Sequence, residues 1–278
     1  MSKMSKKIIQ KKVSKRSLKS GRRFNNSKRS LKGGRIRNIL SRFTPGSKKT
    51  TKCDIEISEG TNTIVPTFYH GCTSLTNINI PDSVTSIGGG AFRECIALAS
   101  IKIPDKVTSI GAYAFRGCSA LASLEIPSSV TSIGEEAFDA CISLANITIS
   151  PSFPSQSLLV MHSAFKGCTS LARITIPDSV TAIRYSTFEG CSALASIKIP
   201  DKVTSIGDNA FNGCTSLASI EIPDAVTSIG NYAFRGCSAL ATVTIQEGAA
   251  LFGYGIFWGC SSLASITIPN SVKHIGGA

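Results

Sequence analysis

The sequence predicts an α/β-type repeat solenoid of about nine coils, each 23 residues long, with parallel sheets and short helical turns. Nine of the ten cysteines recur every 23 residues, apart from one gap of 27. An aromatic residue lies three positions before each of these cysteines, and a leucine lies three positions after it. A fixed period of this length is typical of stacked units that bury their apolar faces against one another. The periodic cysteines are Cys72, Cys95, Cys118, Cys141, Cys168, Cys191, Cys214, Cys237 and Cys260.

Two short extended segments are predicted in each unit. Residues 98–103 read Leu-Ala-Ser-Ile-Lys-Ile, so that Ile101 and Ile103 share one face of a strand and Lys102 takes the other. Pro104 then turns the chain, because proline cannot donate to a strand ladder. The following residues, 107–110, form a second extended piece rich in β-branched side chains.

The residues around each cysteine are predicted to form one inward-facing helical turn. Ala114, Cys118 and Leu121 follow the helical i, i+4, i+7 spacing, with Phe115 beside them. Metal sites and redox pairs need thiols a few residues apart, so the cysteine row is interpreted as one buried, reduced stripe of small apolar side chains. Cys53 lies off the period and marks an N-terminal cap coil, residues 53–71.

The repeat resembles a known family. Its Leu-x-x-Ile-x-Ile strand is similar to the leucine-rich repeat, and the phrase Ile-Pro-x-x-Val-Thr-x-Ile-Gly-x-x-Ala-Phe-x-Gly-Cys looks like the BspA-type variant of bacterial surface proteins and protists. The match covers residues 53–278, although the asparagine ladder of the commoner repeat is absent. The resemblance implies a curved, right-handed solenoid that binds other macromolecules, without saying which ones.

The N-terminal segment differs in charge from the repeats. Residues 1–52 hold 19 of the 30 Lys and Arg residues and no acidic residue. The remainder holds 11 basic and 17 acidic residues, a net charge of −6. With few large apolar side chains, residues 1–52 are predicted to form a disordered basic tail. The candidate polyanion-binding residues are Lys11, Lys12, Lys15, Arg16, Arg22, Arg23, Lys28, Arg29, Arg35 and Arg37.

Four interpretations of the tail remain open. It binds nucleic acid or directs nuclear import, it is an organelle transit peptide, it docks on anionic lipids, or it is a solvated arm. No apolar leader and no apolar run long enough for a transmembrane helix is present. Ten cysteines without a leader favour an intracellular, reducing compartment, the cytoplasm or nucleus, with organelle import as the alternative.

No catalytic constellation is recognisable, so the sequence predicts a protein that is not an enzyme and has no cofactor. His70, His162 and His274 occupy unrelated repeat positions without metal-ligand spacing. A row of aspartates follows the prolines, and it is typical of Pro-Asp turns rather than of a calcium site. These aspartates are Asp82, Asp105, Asp178, Asp201 and Asp224.

The outward side chains of the predicted strands are small and polar. Lys102 is expected to neighbour Glu125, and Lys198 to neighbour Glu221, on adjacent strands. Arg173 is the candidate central anchor of this face. Trp258, the single tryptophan, stands where other repeats have a polar residue and is predicted to be exposed. It is either a contact point or part of a local repacking that compensates for the Val and Pro missing from its coil.

Two features interrupt or end the repeats. Residues 150–157 are predicted to bulge as a surface loop within the gap of 27 residues. The strand around Ile266 and Ile268 is expected to be an open edge through which this end docks on a partner or on a second copy of the chain.

The sequence thus predicts a non-enzymatic protein-binding or scaffold module with a basic tail for targeting or polyanion contact. The alternatives are a nucleic-acid-associated protein that binds through the tail and a cell-surface adhesin of the BspA-like type.

Overall fold

The computed structural model describes residues 52–150 and 162–276, all within one unit that spans residues 48–278. Like strands of successive coils pair in parallel, and paired residues such as Ser86 and Ser109 are 23 positions apart. This register confirms the predicted repeat solenoid with parallel sheets. The predicted loop at residues 150–157 lies outside the described residues, apart from Ser150.

Short strands form one series of parallel sheets. The first sheet contains β1 (Thr63–Ile64), β2 (Ser86–Ile87), β3 (Ser109–Ile110) and β5 (Ser132–Ile133). The second contains β8 (Ala182–Ile183), β9 (Ser205–Ile206), β11 (Ser228–Ile229), β13 (Leu251–Phe252) and β14 (His274–Ile275). In most of these strands the second residue is buried, so each strand sends one side chain into the core.

Longer strands form the other series, which carries the Leu-x-x-Ile-x-Ile phrase. One sheet contains β4 (Ser123–Ile126), β6 (Asn146–Ile149) and β7 (Arg173–Ile174). The other contains β10 (Ser219–Ile222) and β12 (Thr242–Ile245). Residues 98–103 were expected to be a strand and are not one. Ile101 and Ile103 are nevertheless buried and Lys102 is exposed, so the alternation of side chains persists without a regular strand.

The core is a set of side-chain ladders that run from coil to coil. Aromatic rings stack nearly parallel along it, with centroids 5.2 Å apart between Phe211 and Phe234 and 5.7 Å apart between Phe165 and Phe188. Buried leucines, isoleucines and cysteines repeat in the same way beside the rings. Each coil therefore completes the core of its neighbours, as expected of a repeat whose single unit cannot bury its own apolar face.

The predicted helical turn is wrong. Around Phe115 the chain forms successive turns, because alternate amides bond to the next coil: Tyr113 N–H donates to Glu135 at 2.8 Å and Phe115 N–H to Ala137 at 2.8 Å. The backbone also departs from helical geometry, with positive φ at Tyr113 (60°) and Gly117 (72°). An α-helix would direct these amides to carbonyls of its own preceding turn, so coil-to-coil bonding and helix formation compete for the same donors.

The predicted all-thiol row is also wrong at its first member, because Cys72 forms a disulfide with Cys53. The eight cysteines from Cys95 to Cys260 are buried thiols, which confirms the remainder of the row. Beside the disulfide, the Tyr69 hydroxyl donates to the carbonyl of Ile55 at 2.6 Å. A covalent bond and a hydrogen bond therefore join residues 53–55 to the first complete coil. In the described part of the chain no helix could cross a membrane.

Candidate functional site

The outward side chains of the longer strands and of their counterparts in other coils form a polar surface, here called the long-strand face. Five predicted partner-binding residues lie on it with exposed side chains, because strand alternation sends their neighbours inward. In β4, for example, Leu124 and Ile126 are buried while Glu125 is exposed. The five residues are Lys102, Glu125, Arg173, Lys198 and Glu221.

Two open concavities follow one another along the long-strand face. The first, of about 650 Å³, includes Lys102 and Glu125. The second, of about 910 Å³, includes Arg173, Lys198 and Glu221. Because Asn146 and Thr148 line both, the concavities form one continuous polar surface, here called the groove. The structure thus brings the five predicted residues together in two adjoining groups.

The charge pairs expected on this face do not form. No ion pair joins Lys102 to Glu125 or Lys198 to Glu221 within the residues that the structure describes. The Glu221 carboxylate instead accepts a hydrogen bond of 2.7 Å from the side-chain amide of Gln246. The charged side chains of the groove are therefore solvated, and exposed pairs of this kind contribute little to stability in any case.

A second surface, here called the turn edge, carries the most varied side chains. It consists of the residue directly after each stacked aromatic and the residues two and three positions before it. Arg116 lies 2.7 Å from Glu136 and 3.1 Å from Asp139, and Lys166 lies 3.0 Å from Glu189. Burial raises the pKa of the Asp139 carboxyl, while the charge of Arg116 opposes that shift. The hydrogen bond from Lys166 to Glu189 raises the pKa of the Lys166 ammonium.

The turn edge ends in a cluster of rings around a cation. Arg235 lies over Trp258, with 4.3 Å between its guanidinium carbon and the ring centroid, and over Tyr232 at 5.5 Å. Trp258 is 60% exposed, as predicted from its repeat position. The sequence-based interpretation missed Arg235, although a signal was present, since Arg235 and Trp258 occupy the same repeat position 23 residues apart.

Trp258 also lines an apolar concavity of about 570 Å³ with Phe252, Tyr254, Ile268 and Ile275. The prediction of an open strand edge at Ile266 and Ile268 is wrong in detail, because no strand forms at these residues. The last described strand is β14, whose Ile275 is 59% exposed. Exposed apolar surface is thus present at this position, supplied by rings and isoleucines rather than by a strand edge.

The buried thiols are poor nucleophiles in the folded protein. Burial raises the pKa of Cys141, Cys168 and Cys191 well above the usual value and that of Cys214 to about 12. Only the thiolate reacts readily, so these groups serve packing. Within residues 52–150 and 162–276 no group of three or more metal-ligating side chains is assembled, and the predicted polyanion-binding residues of the tail lie outside those ranges.

Comparison with known proteins identifies the repeat. A model of the BspA type leucine rich repeat region matches residues 48–157 and 159–278, with six copies. No curated protein matches the chain.

Solved structures of bacterial leucine-rich repeat proteins resemble the fold. One from Bacteroides ovatus is 26% identical over 78% of each chain, with a TM-score of 0.45. The T. pallidum leucine-rich repeat protein is 27% identical over 72% of this chain and 71% of its own, with a TM-score of 0.34. A leucine-rich cell surface protein from Faecalibacterium prausnitzii is 32% identical over 66% of this chain and 51% of its own, with a TM-score of 0.43.

The family match spans nearly all of residues 48–278, which is well over half of the chain. The chain therefore belongs to the BspA-type leucine-rich repeat family.

Proposed function

We propose that the solenoid is a non-enzymatic protein-binding module that receives its partner along the groove. The observation that carries this proposal is the continuity of two polar concavities along the long-strand face, which together are lined by seven charged, exposed side chains. These side chains take no part in the core, so the fold itself does not require them.

The chemistry of the groove favours a polar and reversible contact. Its exposed residues are small polar groups and isolated charges, without the Tyr and Trp anchors that dominate tight interfaces. Arg173 is the strongest single candidate for an anchor, since a guanidinium can bind a carboxylate through two parallel hydrogen bonds. The neighbouring Lys198 and Glu221 add charges of opposite sign, which would select the orientation of a partner more than increase its affinity.

Affinity capture tests this proposal with three forms of the full chain: the wild type, the double variant Arg173→Glu and Lys198→Glu, and a control, Lys202→Glu. Lys202 is exposed but does not line the groove. We expect proteins bound by the wild type and by the control to be lost from the double variant. Because all three forms carry the same tail, contacts made by the tail cancel. Equal capture by all three forms would contradict the proposal.

We further propose that the basic tail directs the protein to its compartment or contacts a polyanion, which includes the alternative of a nucleic-acid-associated protein. Nineteen cations without an acidic residue support this role. Replacing the ten candidate tail residues by glutamine removes about half of these cations and should weaken salt-dependent binding to RNA and redistribute a tagged protein in the cell. If RNA binding and location both stay unchanged, the tail has neither role.

A surface-exposed binding module of the adhesin type is the second candidate. It is favoured by the disulfide between Cys53 and Cys72, since disulfides persist mainly in oxidising environments. Labelling of intact cells with a membrane-impermeant biotin reagent distinguishes the two locations. Recovery of biotinylated protein supports the surface role, and labelling only after lysis supports the intracellular one.

A further inference from the structure

Arg235 is held by aromatic rings on the turn edge. Its guanidinium carbon lies 4.3 Å from the centroid of Trp258 and 5.5 Å from that of Tyr232. Tyr232 in turn meets Tyr254 edge to face, with 5.3 Å between the centroids. Stacking occupies the face of a guanidinium and leaves its N–H groups around the rim, where they remain able to donate.

The surroundings of Arg235 differ from those of the other cations on the turn edge. Arg93, Arg116 and Lys166 each lie within 3.2 Å of a carboxylate oxygen. In the part of the chain that the structure describes, no carboxylate forms an ion pair with Arg235. Its positive charge is therefore fixed in position by the rings but not neutralised by an acidic neighbour.

An apolar concavity adjoins this cation. Trp258 lines the concavity of about 570 Å³ together with Phe252, Ile268 and Ile275, and the same indole ring stacks on Arg235. The cation and the apolar surface are thus continuous. A ligand that complements both must carry negative charge beside an apolar group.

We propose that Arg235 and Trp258 bind an acidic peptide segment of a partner protein. The Arg235 guanidinium binds a carboxylate of that segment, and an apolar side chain next to the carboxylate enters the concavity. Guanidinium donors match carboxylate geometry, and Trp and Arg are enriched among the residues that dominate interface energetics. The residues involved are distinct from those of the groove, so the site does not depend on the function proposed for the long-strand face.

Fluorescence of the full chain tests the site directly, because Trp258 is the single tryptophan. The probe is the acetylated and amidated peptide Glu-Glu-Leu-Glu-Glu. We expect this probe to change the tryptophan emission in a saturable way. The neutral peptide Gln-Gln-Leu-Gln-Gln, which lacks the carboxylates, should cause no change. The peptide Glu-Glu-Ser-Glu-Glu, which lacks the apolar side chain, should bind more weakly than the probe. Peptide bound by the basic tail does not follow this pattern, since residues 1–52 contain no tryptophan.

Variants complete the test. Arg235→Gln should raise the dissociation constant at least about tenfold, or about 1.4 kcal/mol, while Arg235→Lys retains part of the affinity. Arg93→Gln is the control at the same repeat position and should bind as the wild type does. Unchanged emission on titration, an equal response to the neutral peptide, or unchanged affinity of Arg235→Gln would each overturn the proposal. Because Arg235 is exposed, its replacement leaves the core intact.

Discussion

Each thiol of the cysteine row donates to the backbone of the coil before it. Cys191 Sγ lies 3.2 Å from the carbonyl oxygen of Phe165, which also accepts the N–H of Cys168 at 3.2 Å. One carbonyl thus serves two donors from two successive coils. A cysteine is small enough to be buried there and still supplies a donor. An aliphatic residue of similar size would fill the same space but could not donate to this carbonyl.

The raised pKa of these thiols makes stability depend on alkaline pH. An unfolded thiol loses its proton near pH 8.5, whereas burial keeps the thiol of Cys214 protonated up to about pH 12. Above pH 8.5 the folded state therefore binds more protons than the unfolded state, and the free energy of unfolding falls as pH rises. Each thiol whose pKa burial raises, such as Cys191 and Cys214, should contribute a slope of about 1.4 kcal/mol per pH unit.

Urea unfolding between pH 8 and pH 10, in the absence of oxygen, measures this slope. Cys191→Ala should be less steeply destabilised by alkali than the wild type, by the slope of one thiol, even though its stability at pH 7 is lower. If the wild type and Cys191→Ala show the same slope, the thiols are not protected as the structure indicates.

Among the elements, the corner at Gly88, four residues before Phe92, requires close approach of two coils. A Cβ added at Gly88 would lie 2.6 Å from the carbonyl oxygen of Ile64 and 2.7 Å from the nitrogen of Pro66. The adjacent Gly89 has more room, since its added Cβ would lie 3.3 Å from the carbonyl oxygen of Ala112. Both sets of contacts are with backbone atoms, which cannot yield as a flexible side chain can, so the shorter distances at Gly88 should make it the less tolerant of the two glycines.

Gly88→Ala should therefore lower the free energy of unfolding by about 1–3 kcal/mol, measured by urea denaturation. Gly89→Ala is the matched control in the same triplet and should lose less than about 1 kcal/mol. Equal losses, or a larger loss at Gly89, would show that the close approach at Gly88 does not limit the packing of coils.

The first coil is held differently from the others, because no earlier aromatic ring stacks on Tyr69 in the described residues. Its hydroxyl reaches Ile55, burial raises its pKa to about 12, and the Cys53–Cys72 disulfide closes the same region. Cys53→Ser should lower the stability of the oxidised protein by about 3 kcal/mol, seen as a lower melting temperature.

Dithiothreitol distinguishes this effect from a local packing defect. The reductant should lower the melting temperature of the wild type toward that of Cys53→Ser and leave the variant unchanged. A wild type that is insensitive to the reductant would mean that the disulfide does not support the cap.

For the whole molecule, the repeat register could be predicted because residues 23 positions apart stack on side chains of the same type in the next coil. The period placed Phe, Leu, Ile and Cys correctly in the core and Trp258 on the surface. The same register could have revealed the contact between Arg235 and Trp258, since both hold one position in adjacent coils. The spacing of residues therefore carries information about contacts on the turn edge that the sequence-based interpretation did not use.

Other features depend on which of two possible partners a group bonds to, and the repeat pattern does not specify that choice. The spacing of Ala114, Cys118 and Leu121 fits a helix, yet their neighbours' amides bond to the next coil instead. Cys72 belongs to the periodic row, but its partner Cys53 is 19 residues away and off the period. Likewise, Glu221 bonds Gln246 rather than Lys198, because exposed charges gain little from pairing.

Mass-spectrometric mapping of thiol labelling tests most directly whether one repeat register forms one continuous core. With native oxidised protein at pH 8, the eight cysteines from Cys95 to Cys260 should remain unlabelled by iodoacetamide and become labelled in guanidinium chloride. Cys53 and Cys72 should require reduction as well as denaturation. Rapid labelling of several central cysteines in the native protein would contradict the stacked core from which every surface described above is derived.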